Sequence, residues 1–269
     1  MRKSTLFWGI ALIAVGFLLL VGALFRVNAW NLIWPLFLIA LGGWILWGIL
    51  FGRPSMESME TTQVTIPLEG AGQARLHIRH GAGRLRIDSS AGPGELVTGT
   101  FGGGLDHRVR RDGDALDVEL RVPPHVFPWL TMPWMWGPHA ALDWTFGLSR
   151  EIPLSLDFET GAGDMRMDLT ETRVTDLRLQ TGASATDLTL PANAGTTQVK
   201  VRAGAASVVM RVPSGVAARI RASGGLADVR VDRGRFPRAG RVYQSADYDT
   251  AANKVDIDVE TGVGSVNIR

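Results

Sequence analysis

The 269-residue sequence contains no cysteine. This absence excludes disulfide bonds, thiolate nucleophiles and cysteine-ligated metal sites, and it is compatible with a reducing compartment. Histidine is also scarce, and the histidines that occur do not have the spacing of metal ligands. They are His77, His80, His107, His125 and His139. We therefore expect no metal site and no cofactor.

A surplus of charge of either sign is missing too. Lysine and arginine together number 28, aspartate and glutamate 26, and the formal net charge is +2. A nucleic-acid-binding domain usually carries a basic patch or helix. The run of arginines at residues 108–111 is flanked by Asp106, Asp112 and Asp114, which is typical of a solvated hairpin end. We therefore expect no nucleic-acid partner.

Recognisable catalytic motifs are lacking as well. No Ser/His/Asp arrangement is readable, and residues 102–104 (Gly-Gly-Gly) are not followed by the helical pattern that a nucleotide-binding loop requires. Two Gly-Ala-Gly segments, at residues 81–83 and 161–163, belong to a repeat rather than to phosphate loops. The sequence predicts no catalytic residue and no enzymatic activity.

Long hydrophobic runs occur in the first 52 residues. No charged residue lies between Lys3 and Arg26 or between Arg26 and Arg53, and each stretch is long enough to cross a hydrocarbon core of about 30 Å as a helix. The pattern predicts spans at about residues 5–25 and 34–52. A short loop joins them, so residues 1–52 are predicted to form an antiparallel hairpin in the lipid bilayer.

Basic residues beside the spans predict their orientation. Arg2 and Lys3 precede the first span and Arg53 follows the second. The positive-inside rule then places both ends, and the domain that follows, on the cytoplasmic side of the cell membrane; Arg26 in the connecting loop weakens this bias. The alternative is a signal peptide cleaved near residues 27–29, but its apolar run is long and a second span follows at once.

Beyond a polar tether at residues 53–73, residues 74–269 repeat a short unit. Each unit has two segments of alternating apolar and polar residues around a glycine-containing corner. The corner glycines Gly161 and Gly182 are 21 residues apart, and Gly204 follows after another 22. The predicted structural corners are Gly81, Gly83, Gly161, Gly163, Gly182, Gly204, Gly224, Gly262 and Gly264.

The apolar positions change parity at each corner. Leu177 and Leu179 have odd numbers, whereas Leu188 and Leu190, beyond Gly182, have even numbers. A slip of one residue turns a strand over, so a slip at every glycine indicates a built corner or bulge. One unit buries too little surface to offset the entropy of ordering it, so units must stack. The predicted fold is an all-β, solenoid-like repeat domain.

Three segments interrupt the repeat. Residues 95–122 are predicted to form extra strands with a hairpin turn at residues 111–114, and residues 236–253 a covering loop. The third, residues 123–147, is an insert rich in proline and tryptophan. It either covers an end of the β stack, or enters the lipid interface or docks a partner, since tryptophan favours that boundary. The candidate contact residues are Phe127, Trp129, Leu130, Trp134, Met135 and Trp136.

Two segments resemble known bacterial proteins. Residues 28–42 (NAWNLIWPLFLIALG) are similar to the LiaI/LiaF-type transmembrane region. The Gly-Ala-Gly repeats, the strand-closing pairs at residues 190–191 and 212–213, and residues 261–266 (TGVGSV) resemble the toastrack β domain, which is related to putative-adhesin domains. The resemblance implies a LiaF-like membrane protein of the bacterial envelope, similar to accessory regulators that sense envelope stress and restrain a histidine kinase.

The sequence leaves three functions open. The first is a membrane-anchored interaction or regulatory protein, with a sensor kinase or another envelope protein as partner. The second is a scaffold or adhesin that forms homo-oligomers edge to edge through its repeat ends. The third, an enzyme acting on glycans, is disfavoured because no acid/base constellation is present.

Overall fold

The structure, a computed structural model, describes residues 61–123 and 142–269. The predicted spans at residues 5–25 and 34–52 lie outside these residues. Where the chain is described, no helix is long and apolar enough to cross a bilayer. The described residues form an all-β domain, as the alternating pattern predicted.

The strands belong to one sheet that folds around its own core. They are β1 (Thr61–Pro67), β2 (Gln73–Asp88), β3 (Glu95–Gly102), β4 (Asp106–Asp112), β5 (Ala115–Arg121), β6 (Trp144–Leu148), β7 (Pro153–Asp168), β8 (Arg173–Thr189), β9 (Thr196–Arg211), β10 (Ala217–Val231), β11 (Arg238–Ala239), β12 (Val242–Gln244) and β13 (Lys254–Ile268).

Six long strands make up the repeat. Each has 15 to 17 residues and runs through its glycine corner. They lie parallel in the order β2, β7, β8, β9, β13, β10. The copy from the end of the chain, β13, is thus inserted between β9 and β10. Position along the sequence did not predict this order.

The predicted change of parity at each corner is confirmed. On β8, Leu177 and Leu179 are buried before the corner and Leu188 after it. Phe158 and Met165 on β7 show the same switch. Because the switch repeats on neighbouring strands, the two halves of each strand face one shared core. That is the geometry of a solenoid, in which each unit is buried by its neighbours.

The N-terminal end of the stack is covered by two sets of strands. The first half of β2 pairs with β5, which forms the predicted hairpin with β4. The second half of β2 pairs with β6, and β3 and β1 continue the sheet from there. Both halves of β2 therefore have a neighbour on each edge.

Two predicted boundaries are wrong. Strand β1 lies inside residues 53–73, which were predicted as a tether, and its Ile66 is buried. Its alternation is short and rich in threonine, so it does not resemble a repeat unit. Strand β6 occupies the end of the predicted insert 123–147, and its Trp144 is fully buried. This tryptophan is a core residue of the β domain.

Candidate interaction surfaces

The predicted contact residues of the insert, from Phe127 to Trp136, lie outside the described residues, so their contact with membrane or partner stays a prediction. The glycine corners, in contrast, are described. Within residues 61–123 and 142–269, no group of three or more histidine or acidic side chains lies close enough together to hold a metal ion.

The corner glycines of neighbouring strands stack in a column. A Cβ atom on Gly182 would lie 2.6 Å from the carbonyl oxygen of Gly161, and one on Gly204 would lie 2.8 Å from that of Gly182. The same close approach recurs along the column. Its members are Gly81, Gly161, Gly182, Gly204, Gly262 and Gly225. On β10 the column position is Gly225; the predicted Gly224 pairs instead with Thr261.

A second set of corner glycines needs glycine for another reason. Gly163 has a φ of +146°, which side-chain-bearing residues rarely adopt, and its Cβ would lie 1.9 Å from the Gly83 carbonyl oxygen. Gly83 and Gly264 have similar φ angles. On β8 and β9 the matching positions are Ser184 and Ala206. The second glycine therefore occurs on three of the six repeat strands, where the backbone has a positive φ, and is not required in every unit.

A groove of about 880 Å³ follows the glycine column across the stack. One wall is a row of paired outward side chains. The row is Arg79, Glu159, Gln180, Arg202 and Glu260. Arg79 approaches Glu159 to 3.3 Å, and Arg202 approaches Glu260 to 3.3 Å. The charges of the groove are thus neutralised within the wall itself.

Two threonines beside the groove have unmatched hydroxyls. The Oγ1 atoms of Thr160 and Thr181 are buried and have no hydrogen-bond partner among the described residues. Solvent does not reach either atom, so a molecule in the groove would not contact them in this conformation. The groove is therefore lined by the backbone of the corners and by paired side chains, and it presents no reactive group among the described residues.

A buried histidine links the end of the insert to the stack. His80 of β2 is 3% exposed, and its Nε2–H donates to the Leu142 carbonyl oxygen at 2.8 Å. Its ring contacts Trp144 edge-on, with centroids 5.0 Å apart. Burial lowers the pKa of His80, although the bond to Leu142 and the charge of Asp143 act in the opposite direction. His80 is thus held neutral as part of the N-terminal cover.

The C-terminal end of the stack is covered on only one half. Strand β12 pairs with Arg219 and Ile220 of β10. Among the described residues, no strand pairs with the outer edge of β10 from Arg221 to Val231. A sheet edge of this kind presents unpaired N–H and C=O groups, and it is a template for another strand.

Side-chain burial agrees with this open edge. Val229 and Val231 are only half-buried, whereas their register partners Val266 and Ile268 on β13 are fully buried. Because these two valines face inward, the core of the stack reaches the surface at this end. Leu226 is 82% exposed, but it lies at an outward corner position, where Val263 on β13 is exposed as well. We call residues 222–231 the open edge.

The segment after the open edge is anchored elsewhere. The Arg235 guanidinium donates to the carbonyl oxygens of Val212, Pro213 and Val216 in the connection between β9 and β10, the last two at 2.6 and 3.3 Å. Phe236 beside it is fully buried. After these contacts the chain continues to β11 and β12, and β12 pairs with the first half of β10 rather than with the open edge.

Comparison with known proteins agrees with this architecture. The sequence family described as the N-terminal domain of toast_rack (Toast_rack_N, DUF2154) matches residues 55–211, which is more than half of the chain. The chain belongs to this family. The matched range ends with β9, so the open edge of this toast_rack protein lies beyond it.

One solved structure is similar over most of the toast_rack chain. It is a crystal structure described as a putative cell adhesion protein from Clostridium sporogenes ATCC 15579, with a TM-score of 0.69 and 20% sequence identity. The similarity covers 78% of this chain and 98% of that one. At this identity the comparison shows a shared fold. No curated protein sequence matches the chain.

The sequence offered edge-to-edge association through the repeat ends as one function, but it did not identify which strand leaves its edge open. The repeat copy at residues 220–231 has the same alternation as the others, and nothing in it indicates that it ends the stack. Leu226 does not signal it either, because Val263 at the matching position of the interior strand β13 is also a large, exposed apolar residue.

Proposed function

We propose that this toast_rack protein is a membrane-anchored, non-enzymatic interaction protein whose β domain serves as a scaffold or adhesin-like element. The open edge carries the proposal. A terminal repeat of a solenoid normally needs a polar cover to stay soluble, and the second half of β10 has none among the described residues. A strand from another molecule would complete both the hydrogen-bond ladder and the core.

Site-specific photo-crosslinking tests this proposal. A photoreactive phenylalanine analogue replaces Leu226 in the full chain, expressed in its native host. The control is the same probe at Ala183, which occupies the matching corner position on the interior strand β8 and is also exposed. We expect a covalent adduct with a protein at position 226 and little at position 183. Equal or absent adducts at both positions would contradict an interaction role for the edge.

The membrane part of the proposal rests on the sequence alone. The charge-free runs before Arg53 support a two-pass anchor, and the flanking basic residues support a cytoplasmic β domain. Protease treatment of intact and opened cells tests the side. A cytoplasmic domain is cut only after the cells are opened. Cleavage in intact cells would contradict the proposed side, and release of the full chain by alkaline carbonate would contradict the anchor.

A role in envelope-stress signalling is the second candidate. The resemblance of residues 28–42 to the LiaI/LiaF-type transmembrane region supports it, with a membrane sensor kinase as partner. Purification of the full chain from detergent-solubilised membranes tests it. Recovery of a sensor kinase with the wild-type chain, and its loss when residues 28–42 are replaced by an unrelated transmembrane sequence, is the expected result. Equal recovery with both chains would contradict this role.

A further inference from the structure

We propose that the open edge pairs with the same edge of a second copy of this chain, in an antiparallel arrangement around a two-fold axis at Val229. This inference rests on the proposed interaction function and names its partner. A two-fold interface brings each residue opposite a residue of the same patch. The charges and apolar side chains of the edge must therefore match those of the same edge on the second copy.

Charge favours an axis at Val229 over an axis at either neighbouring residue. On the outward face of the open edge lie Asp228 and Arg230, with Val229 between them on the inward face. When two such edges pair antiparallel around Val229, Asp228 of each copy lies opposite Arg230 of the other. Opposite charges at such positions stabilise a strand pair and like charges destabilise it. Axes at Asp228 or Arg230 would instead set like charges opposite each other.

The monomer leaves these charges available. Asp228 and Arg230 contact each other at 2.7 Å, but their side chains are 56% and 76% exposed. An exposed ion pair of this kind contributes little to stability. Their register neighbours on β13 are Ser265 and Asn267, which carry no charge. On dimerisation, the Asp228–Arg230 pair within each copy is replaced by Asp228–Arg230 pairs between the copies. This exchange breaks no other salt bridge among the described residues.

The inward face fits the same register. An axis at Val229 sets Val229 opposite its own copy and Ala227 opposite the second copy's Val231. All three side chains are half-buried in the single chain. The half-exposed inward side chains of the two copies would then bury each other, as those of neighbouring strands do inside the stack. A register shifted by one residue would instead set inward apolar residues against outward charged ones.

Disulfide trapping tests the register directly, because the native chain has no cysteine. The full chain in detergent micelles carries Val229→Cys or, as control, Leu226→Cys, and copper phenanthroline serves as the oxidant. Opposed residues of an antiparallel pair have Cα atoms about 4.5–5.5 Å apart, within the range of a disulfide. The two Leu226 positions would be six residues, or about 20 Å, apart.

We expect a disulfide-linked dimer with V229C and little with L226C. Random collisions would favour the opposite result, since Leu226 is much more exposed than Val229. Association through the N-terminal region would raise cross-linking at both positions alike. Equal trapping, or preferential trapping at position 226, overturns the proposed register.

Charge reversal tests the same pairs without a covalent bond. In sedimentation velocity of the full chain, D228R or R230D alone should weaken self-association at least about tenfold, because like charges then face each other. The double variant D228R/R230D should restore it, and a mixture of the two single variants should associate with each other. The matched control is D176R, which alters the same Asp-x-Arg spacing on the interior strand β8. An equal effect of D176R overturns the proposal.

The two sets of experiments separate the two proposals. If V229C does not form a dimer but the photoprobe at Leu226 captures a different protein, the self-pairing is wrong and the interaction function stands. If neither experiment yields an adduct, both are wrong.

Discussion

Gly182 shows, at the scale of one residue, why the corners exclude a side chain. The carbonyl oxygen of Gly161 on the neighbouring strand occupies the place where the Cβ of Gly182 would lie. A backbone oxygen cannot rotate away as a flexible side chain can. The strands would have to separate, and both flanking ladders would lengthen. The requirement for glycine thus comes from the neighbouring strand rather than from the conformation of Gly182.

We expect Gly182→Ala to destabilise the domain by about 1–3 kcal/mol, as overpacking of a tight contact does. Urea unfolding followed by tryptophan fluorescence measures this. Gly92→Ala is the control, because its added Cβ meets a side-chain oxygen, that of the Glu95 carboxylate at 3.1 Å, rather than a backbone oxygen. Its expected effect is within about 0.5 kcal/mol. Equal losses for the two variants would show that the close approach is not the cause.

His80 gives the stability of the domain a pH dependence. Its pKa is lowered in the folded state by burial, so the unfolded chain binds more protons just below the ordinary value of 6.5. Stability is therefore complete above that value and decreases as the pH falls towards the folded-state pKa. One such group contributes at most about 1.4 kcal/mol per pH unit.

The unfolding free energy should decrease between pH 7 and pH 5, and less so in His80→Gln, which keeps a donor for the Leu142 carbonyl but does not titrate. Urea unfolding at several pH values measures the slopes. The control His77→Gln removes a histidine that is more than one-third exposed and lies 3.3 Å from Asp157. The explanation is wrong if the H80Q and wild-type slopes are the same.

At the scale of elements, the connection between β9 and β10 is held by one side chain. Arg235 donates to three carbonyl oxygens of that connection. A planar guanidinium can serve several acceptors at once, whereas a lysine ammonium on a flexible stem cannot reproduce this fork. The contact anchors the chain between the end of β10 and the start of β11.

Arg235→Lys should lower the free energy of unfolding by about 1.5–3 kcal/mol, the range for hydrogen bonds to a charged group. Thermal and urea unfolding measure it. Arg238→Lys is the matched control, since Arg238 is exposed, donates to the nearby Gly240 carbonyl at 3.0 Å and lies 5.8 Å from the Tyr243 ring. Its effect should stay within about 0.5 kcal/mol. A neutral R235K would show that these hydrogen bonds do not stabilise the domain.

At the scale of the whole molecule, the order of the strands decides which residues form the interior. Val208 on β9, Val266 on β13 and Val229 on β10 lie side by side in register. Val266 belongs to the strand that comes after β10 in the chain, yet it is buried, and Val229 is the half-exposed member. If the strands were stacked in chain order, β10 would lie between β9 and β13. Val229 would then be buried and Val266 half-exposed.

The same substitution at these three positions tests the order. Val208→Ala and Val266→Ala should each lower the free energy of unfolding by about 1.5–3 kcal/mol, and Val229→Ala by clearly less, because its side chain is only half-buried. Urea unfolding at low protein concentration, where copies stay separate, gives the comparison. If V229A were as costly as V208A while V266A were mild, β10 would be the interior strand.

Much of the fold was predictable from single residues. The alternation around Leu177 and Leu188, and its change of parity at Gly182, require strands that turn over at a corner, because side chains on a strand alternate strictly. The hairpin between β4 and β5 was predictable from Asp112-Gly113, since a turn residue with positive φ favours glycine. These signals are local, and neighbouring residues suffice to carry them.

The strands at the edges of the repeat were not predictable in this way. Strand β1 has a short, threonine-rich alternation, and β6 follows a long proline-rich stretch, so neither resembles a repeat unit. Ile66 and Trp144 are buried because β3 and the second half of β2 present partners for them. A sequence pattern shows that a segment can form a strand. It does not show which other strand has a free edge with which that segment can pair.

The sequence by itself determined that the repeat copies form stacked β units with glycine corners. The period of side chains along a strand and the lack of a Cβ in glycine are properties of the local chain. The tertiary structure alone decided that β13 lies between β9 and β10 and that half of β10 is left uncovered. Repeat units with the same alternation can pair with each other in several orders. Only the packing of the whole stack selects one of them.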